Sequence, residues 1–225
     1  MAKEEPERRP VGRPRLTEEQ RRARRSPVAR AARPPIAPRH PLHVTLYVKP
    51  GLPSLREPAR YARVLGALAA GADRFGMRLV VFSVQDDALH LVVEARDRVA
   101  LTRGMQGMVI RVTKAANRGE RSGKVFKDRY DAVALTTAER VRAALVWVLG
   151  AHRRSAPRAP AIDPCSSGPW FDGWRGDVRA LVRAARAARA LPDEAPVVAP
   201  RTALLARGWR ALGLIALSEL TPRAR

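Results

Sequence analysis

The chain has 225 residues, of which 43 are Lys or Arg and 21 are Asp or Glu, a formal net charge of +22. Such an excess repels itself unless an anion neutralises it, which points first to nucleic acid and second to an anionic membrane surface. A single cysteine, Cys165, excludes an internal disulfide framework and a thiolate metal cluster, and no run of about 18 apolar residues exists to span a bilayer. The charged, proline-rich N-terminus shows no secretory signal, so a cytoplasmic, nucleoid-associated protein is expected. Of the basic residues 38 are Arg and 5 are Lys. A GC-rich genome also produces such a bias, without selection for a polyanion.

Residues 1–41 hold 12 basic and 5 acidic side chains, 8 of the 19 prolines and no Phe, Trp or Tyr. They bury too little apolar surface to offset ordering entropy and read as a disordered basic tail. Residues 43–48 (HVTLYV) alternate and are β-branched and aromatic, so they read as a strand. Residues 58–75 read as a helix, with Pro58 in its first turn and Tyr61, Val64, Leu65, Leu68 and Phe75 as its apolar stripe. Residues 78–83 and 88–94 read as two strands joined by a turn at Asp86 and Asp87. A second helix is expected over 99–117, with Leu101, Met105, Met108, Val109 and Val112 inward. After a loop flanked by Gly119 and Gly123, residues 124–133 read as extended. Thr136 opens a third helix to about Leu149, with Glu139 completing a capping box.

The order β-α-β-β-α-β-α predicts an α+β fold. It is a ferredoxin-like antiparallel sheet with helices on one face and the other face free for a ligand. Three parts are expected: the tail 1–41, a main domain 42–154, and a linker with a helical C-terminal extension over 155–225. Pro157 and Pro160 break any helix in 155–162. The turn-rich run 163–174 reads as an anchor that packs Trp170 and Trp174 on the main domain. A helix over 177–190 presents Arg179, Arg183 and Arg186, and a last amphipathic helix or helix-turn carries Leu204, Leu205, Trp209, Leu212, Leu214 and Ile215.

Alternation places Leu89, Leu91 and Val93 on the helix-covered face and Ala88, His90, Val92 and Glu94 on the other. His90 thus stands mid-strand on the face expected to be open. One imidazole does not make a metal site, since catalytic sites use about three protein ligands.

The stretch 81–94 (VFSVQDDALHLVVE), followed by 101–106 (LTRGMQ), Asn117 and 121–130 (RSGKVFKDRY), resembles the single-tyrosine HUH transposases, in particular the REP-associated tyrosine transposase branch. The resemblance covers residues 40–152. It implies a sheet on which two histidines, one residue apart, hold a divalent cation that polarises a phosphate of single-stranded DNA. It also implies a tyrosine on the last helix that attacks that phosphate. Carried across, the first histidine position is Ala88 and the second is His90. The nucleophile position is Trp147, and the polar position one turn later is Ala151. Trp has no hydroxyl to form a phosphodiester. The resemblance therefore implies a catalytically inactive copy with His90 as a metal-site remnant. No cofactor is expected, with Mg²⁺ or Mn²⁺ needed only if the site functions. Tyr130 is the one substitute nucleophile, against a structural or base-stacking role for its ring.

Arg103, Arg111, Lys114 and Arg118 fall on one side of the second helix, and no acidic residue interrupts 98–118. Lys124, Lys127 and Arg129 lie among Phe126 and Tyr130, a pattern in which cations contact phosphates while rings stack bases. Gly12-Arg13-Pro14-Arg15 resembles an AT-hook, a thin backbone whose Arg13 and Arg15 enter a narrow minor groove; a nonspecific basic arm is the alternative. The reading is a DNA-binding, transposase-like protein for single-stranded or hairpin DNA, with a homodimer open. Its alternatives are an active strand transferase with an atypical nucleophile, an RNA-binding module, and an inert remnant.

Overall fold

The computed structural model describes residues 36–119, 122–156 and 158–220. Residues 1–35 of the basic tail, with Arg13 and Arg15, lie outside them, whereas residues 36–41, read as part of that tail, are described, and Ile36 packs against the core of the main body. Five antiparallel strands form one sheet: β1 (Leu42–Tyr47), β2 (Asp73–Arg74), β3 (Met77–Val84), β4 (Ala88–Ala95) and β5 (Asp131–Ala134). Their spatial order is β2-β3-β4-β1-β5. Leaving aside the two-residue β2, this is the ferredoxin-like order expected of the β-α-β-β-α-β run. The two crossover helices, α1 (Pro58–Ala69) and α2 (Arg98–Asn117), share one face.

The first core forms under those helices. Leu42, Val44 and Leu46 of β1 and Leu89, Leu91 and Val93 of β4 meet Val64 and Leu68 of α1 and Leu101, Met105, Met108 and Val112 of α2. The register pairs Val44 with Leu91, so the apolar sets of both strands point the same way. Helix α2 can lie this close because Gly104 faces Met77. A Cβ added at Gly104 would stand 2.5 Å from the Met77 Cβ. The open carbonyls at the C-terminal end of α2 are satisfied by α1: Arg60 donates to Ala116 O (3.2 Å) and Arg63 to Ala115 O (3.0 Å).

Two element ends differ from the sequence reading. Helix α1 stops at Ala69, and Phe75 is exposed with φ 57°, followed by Gly76 at φ 75°. The pair forms the two-residue hairpin turn between β2 and β3, where both positions need positive φ. Phe75 is therefore a turn residue, and its apolar character mimics the helix stripe. Helix α3 (Ala138–Leu149) is capped by Thr137, whose side chain accepts from the Arg140 N–H, so the cap lies one residue beyond Thr136 and the expected box is out of phase.

The largest difference concerns the second sheet face. It is not free. Val141, Leu145 and Val148 of α3 pack there with Val80, Val81 and Val92 of the sheet and with Ile162, Trp174, Leu205 and Trp209. A bulge in β3 between Leu79 and Val81 makes this possible, because it turns two successive valines to the same side. The short helix α4 (Ala151–Ser155) follows α3 directly. The later segment carries α5 (Arg179–Ala187), α6 (Ala203–Ala206) and 3-10 turns at Gly168–Trp170, Gly208–Leu212 and Leu217–Leu220. The last element, expected as a helix or helix-turn, is a four-residue α-helix followed by 3-10 turns.

The run 163–174 is an anchor. Trp174 is buried and donates to Gly168 O (3.0 Å), and Phe171 stacks on Trp209 with centroids 5.8 Å apart. Its backbone extends the sheet edge: Val84 N–H donates to Cys165 O (2.9 Å) and Ser167 N–H to Phe82 O (2.9 Å). That covers the β3 edge left bare where β2 ends. Glu94, expected on an open face, is buried. It accepts from the N–H groups of Arg201 and Thr202 and from the Thr202 hydroxyl, pinning the start of α6.

A buried charge cluster ties the same segment to the sheet. Asp163 is fully buried and accepts two bonds from the Arg56 guanidinium (2.9 and 2.8 Å), one from Cys165 N–H (2.9 Å) and one from Gln85 (3.3 Å). The buried His152 lies 3.9 Å from Asp163 Oδ2. Cys165 is buried too, and burial pushes its thiol up to about 11, which suits a packing role and not a nucleophile.

Candidate nucleic-acid interface

Two surfaces carry the residues singled out in the sequence. The first is a groove of about 600 Å³ between the C-terminal half of α2 and residues 123–129. Lys114, Lys124, Lys127 and Arg129 line it, with Ile110, Val109 and Thr113 as its floor and Asp128 as its acid. All four cations are exposed. Arg103, Arg111 and Arg118 do not line it. Arg103 and Arg118 are exposed on α2, whereas the half-buried Arg111 folds its guanidinium back over Gly107 beside Phe75. In the later segment, Arg179 pairs with Asp177 and Arg186 with Asp193, so those two arginines have partners already.

The aromatic half of the expected pattern is different. Phe126 is only 5% exposed and belongs to the first core, because residue 126 bridges Val48 and shares its inward face. The half-buried Tyr130 also packs against that core, and its hydroxyl oxygen is buried. Phe126 presents no ring face to a base, and Tyr130 offers no accessible hydroxyl for attack on a phosphate.

The second surface surrounds His90. In the β1–β4 register Thr45 faces His90 and His43 faces Val92, so His43, Thr45 and His90 share the second face. The two imidazoles lie with ring centroids 5.7 Å apart, and Thr45 Oγ1 is 3.3 Å from His90 Nδ1. Arg154 of α4 stacks its guanidinium on Trp147, 3.6 Å from the ring centroid, and donates to Trp147 O (2.8 Å). The charge of Arg154 reaches both histidines. Burial, then the neighbouring His43 and Arg154, lowers His90 to about 4, and burial with Arg154 lowers His43. Both rings are therefore neutral at pH 7.

His43 was absent from the sequence reading, although HVTLYV already set His43, Thr45 and Tyr47 on one side of β1. The strand register was needed to bring His43 to His90. Ala88 and Ala151 are buried, and Trp147 is exposed at the rim.

These side chains do not fit the divalent cation that the resemblance implies. Ala88 and Ala151 offer no donor atoms, and the guanidinium of Arg154 opposes a cation at the imidazole pair. No group of three or more His, Cys, Asp or Glu side chains able to hold a metal occurs among the described residues.

The fold and these surfaces define an α+β protein with a ferredoxin-like sheet and basic, ring-bearing exposed sites. No family model matches the chain, and no curated protein matches it. Among solved structures, one described as a REP-associated tyrosine transposase bound to a REP hairpin is similar to it, with a TM-score of 0.48 at 11% identity. That match covers 78% of this chain and 93% of the other. Among the described residues no helix is long and apolar enough to cross a membrane.

Proposed function

We propose that the chain is a DNA-binding protein on a transposase-like scaffold, taking single-stranded or hairpin DNA, and that it performs no strand cleavage at the position where the resemblance sets the nucleophile. The basic groove carries this reading. Four exposed cations converge from two elements on one concavity with a single carboxylate among them. Each cation that meets a phosphate releases counterions, so the gain is entropic and independent of sequence. The net charge of +22 supplies the long-range attraction that brings a polyanion to the groove. The inactive half of the reading rests on identity: Trp147 has no nucleophilic oxygen, and Ala88 and Ala151 have no ligand atoms.

The experiment is incubation of the purified chain with a labelled DNA hairpin, with and without Mg²⁺ or Mn²⁺, followed by native and denaturing gels. A complex on the native gel and none on the denaturing gel is expected. Failure to bind overturns the DNA reading, and a covalent adduct overturns the inactive one. Loss of that adduct in Tyr130→Phe would assign the attack to Tyr130. Competition with a matched RNA of the same sequence separates DNA from RNA binding.

A further inference from the structure

Helix α1 and residues 189–198 bound a cleft of about 530 Å³ that shares no residue with either surface above. Its floor is a stripe of small residues on α1. Ala62, Gly66 and Ala69 follow one another at spacings of four and three, and all three are exposed. Leu65 of α1 and Leu191, Pro196, Val197 and Val198 of the later segment form apolar walls.

The wall opposite α1 is tied down along its length. Helix α5 ends in a reversal, where Leu191 N–H donates to Arg186 O (3.0 Å) and Ala190 takes φ 47°. Beyond it Trp170 Nε1 donates to Pro192 O (3.2 Å), Val198 N–H to Leu79 O (3.0 Å) and Arg78 to Ala199 O (2.7 Å). The cleft is therefore a built feature of the fold, as ligand sites in most proteins are.

The reversal carries Arg189 over Tyr61, with its guanidinium carbon 5.9 Å from the ring centroid, and both residues line the cleft. Tyr61 is 1% exposed, and its hydroxyl oxygen is buried without a hydrogen-bond partner; Arg189 Nη1 is buried and without a partner as well. Buried polar atoms are almost always paired, so two unpaired donors in neighbouring side chains ask for a shared acceptor. Burial, with Cys165 and Asp163 nearby, pushes the Tyr61 hydroxyl well above its usual range, so it remains a donor at neutral pH. Arg189 is the single cation of the lining, and the exposed Glu194 is its single carboxylate. One cation balances one negative charge, and Glu194 opposes a second. A polyphosphate or a nucleic-acid strand needs several cations, whereas a carboxylate on an alkyl chain matches one guanidinium, one hydroxyl and aliphatic walls.

We propose that this cleft binds an aliphatic monocarboxylate, whose carboxylate accepts from Arg189 and from the Tyr61 hydroxyl and whose chain lies along Ala62, Gly66 and Ala69 against the 191–198 segment. The site goes beyond the DNA-binding reading and does not depend on it.

The test is calorimetric titration of the full chain with decanoate, with decanol and acetate as controls for the head and the chain. Decanoate should saturate at one per chain, and neither control should reproduce that. Arg189→Gln removes the charge and Tyr61→Phe removes the hydroxyl while keeping the ring; each is expected to weaken decanoate binding about ten-fold or more. Ala69→Phe, at an exposed helix position, should fill the cleft and abolish binding with the polar groups intact. Thermal melting of each variant verifies folding, and Tyr61→Phe should melt no lower than the parent, since the oxygen it removes has no protein partner. The proposal is overturned if decanoate does not saturate, or if several decanoates bind per chain and none of the variants changes this, which is the behaviour of scattered surface arginines. Decanol binding as tightly as decanoate overturns the anionic head. Parent-like affinity in Arg189→Gln or Ala69→Phe overturns the cleft as the site, and parent-like affinity in Tyr61→Phe overturns the hydroxyl contact.

Discussion

Replacing Asp163 with Ala tests how the C-terminal segment is held on the sheet. Asp163 is fully buried and receives both guanidinium arms of Arg56, the Cys165 N–H and Gln85. The substitution leaves Arg56 without its counter-ion in a site where only 22% of its side chain meets water, and leaves the Cys165 N–H without an acceptor. Removing one partner of a buried ion pair costs about 3–5 kcal/mol. The partial exposure of Arg56 lets water take up some of its charge, so the lower end, about 3 kcal/mol, applies. For a folded body of this size each kcal/mol moves Tm by about 2–4 °C, which gives a drop of about 6–12 °C. Thermal unfolding followed by circular dichroism reads it. The double variant Arg56→Leu with Asp163→Ala removes both charges, and it should melt higher than Asp163→Ala alone. A drop under about 2 °C, or a double variant no better than additive, would refute the view that this pair anchors the segment.

Three further outcomes are expected. Lys124→Ala with Lys127→Ala removes two groove cations, so the slope of log K against log[salt] for a DNA hairpin should become shallower by about 1.4–1.8, measured by anisotropy from 50 to 200 mM salt; a slope that does not change excludes those lysines from phosphate contact. Gly104→Ala must displace the Met77 side chain and β3, and overpacking costs about 1–3 kcal/mol against the gain of about 1 kcal/mol in helix propensity, so Tm should fall by a few degrees; a rise would mean that α2 retreats freely. His90 keeps its ring neutral down to about 4, against an ordinary value of 6.5. Because the unfolded chain takes up the proton first, stability is full above pH 6.5 and is lost as pH falls toward 4. His90→Gln should flatten that acid limb in urea titrations at pH 4.5 and 7.5, and an unchanged limb would show that His90 is not its source.

The strands and crossover helices were legible because alternation and the 3.6-residue stripe are local properties of the chain. HVTLYV and ALHLVVE each carried their two faces in their spelling, and 101–112 carried its buried side. The misread places were those where local signals compete. Phe75 continued an apolar stripe but sits in a two-residue turn, and Thr136 and Thr137 are equally good caps whose choice depends on how α3 meets the sheet. Phe126 beside Lys124 and Lys127 had the composition of a stacking site, yet its pairing with Val48 turned it into the core.

From the sequence alone came the net charge of +22 and the α+β order. Those follow from composition and from periods of 2.0 and 3.6, which need no partner segment. The tertiary structure decided which side chains meet. Strand register brought His43 to His90, the β3 bulge and the C-terminal segment covered half of the second face, and helix α4 set Arg154 on Trp147. Such contacts join residues tens of positions apart, and the burial that selects them is a property of the whole packed body, so no local stretch of the chain encodes them.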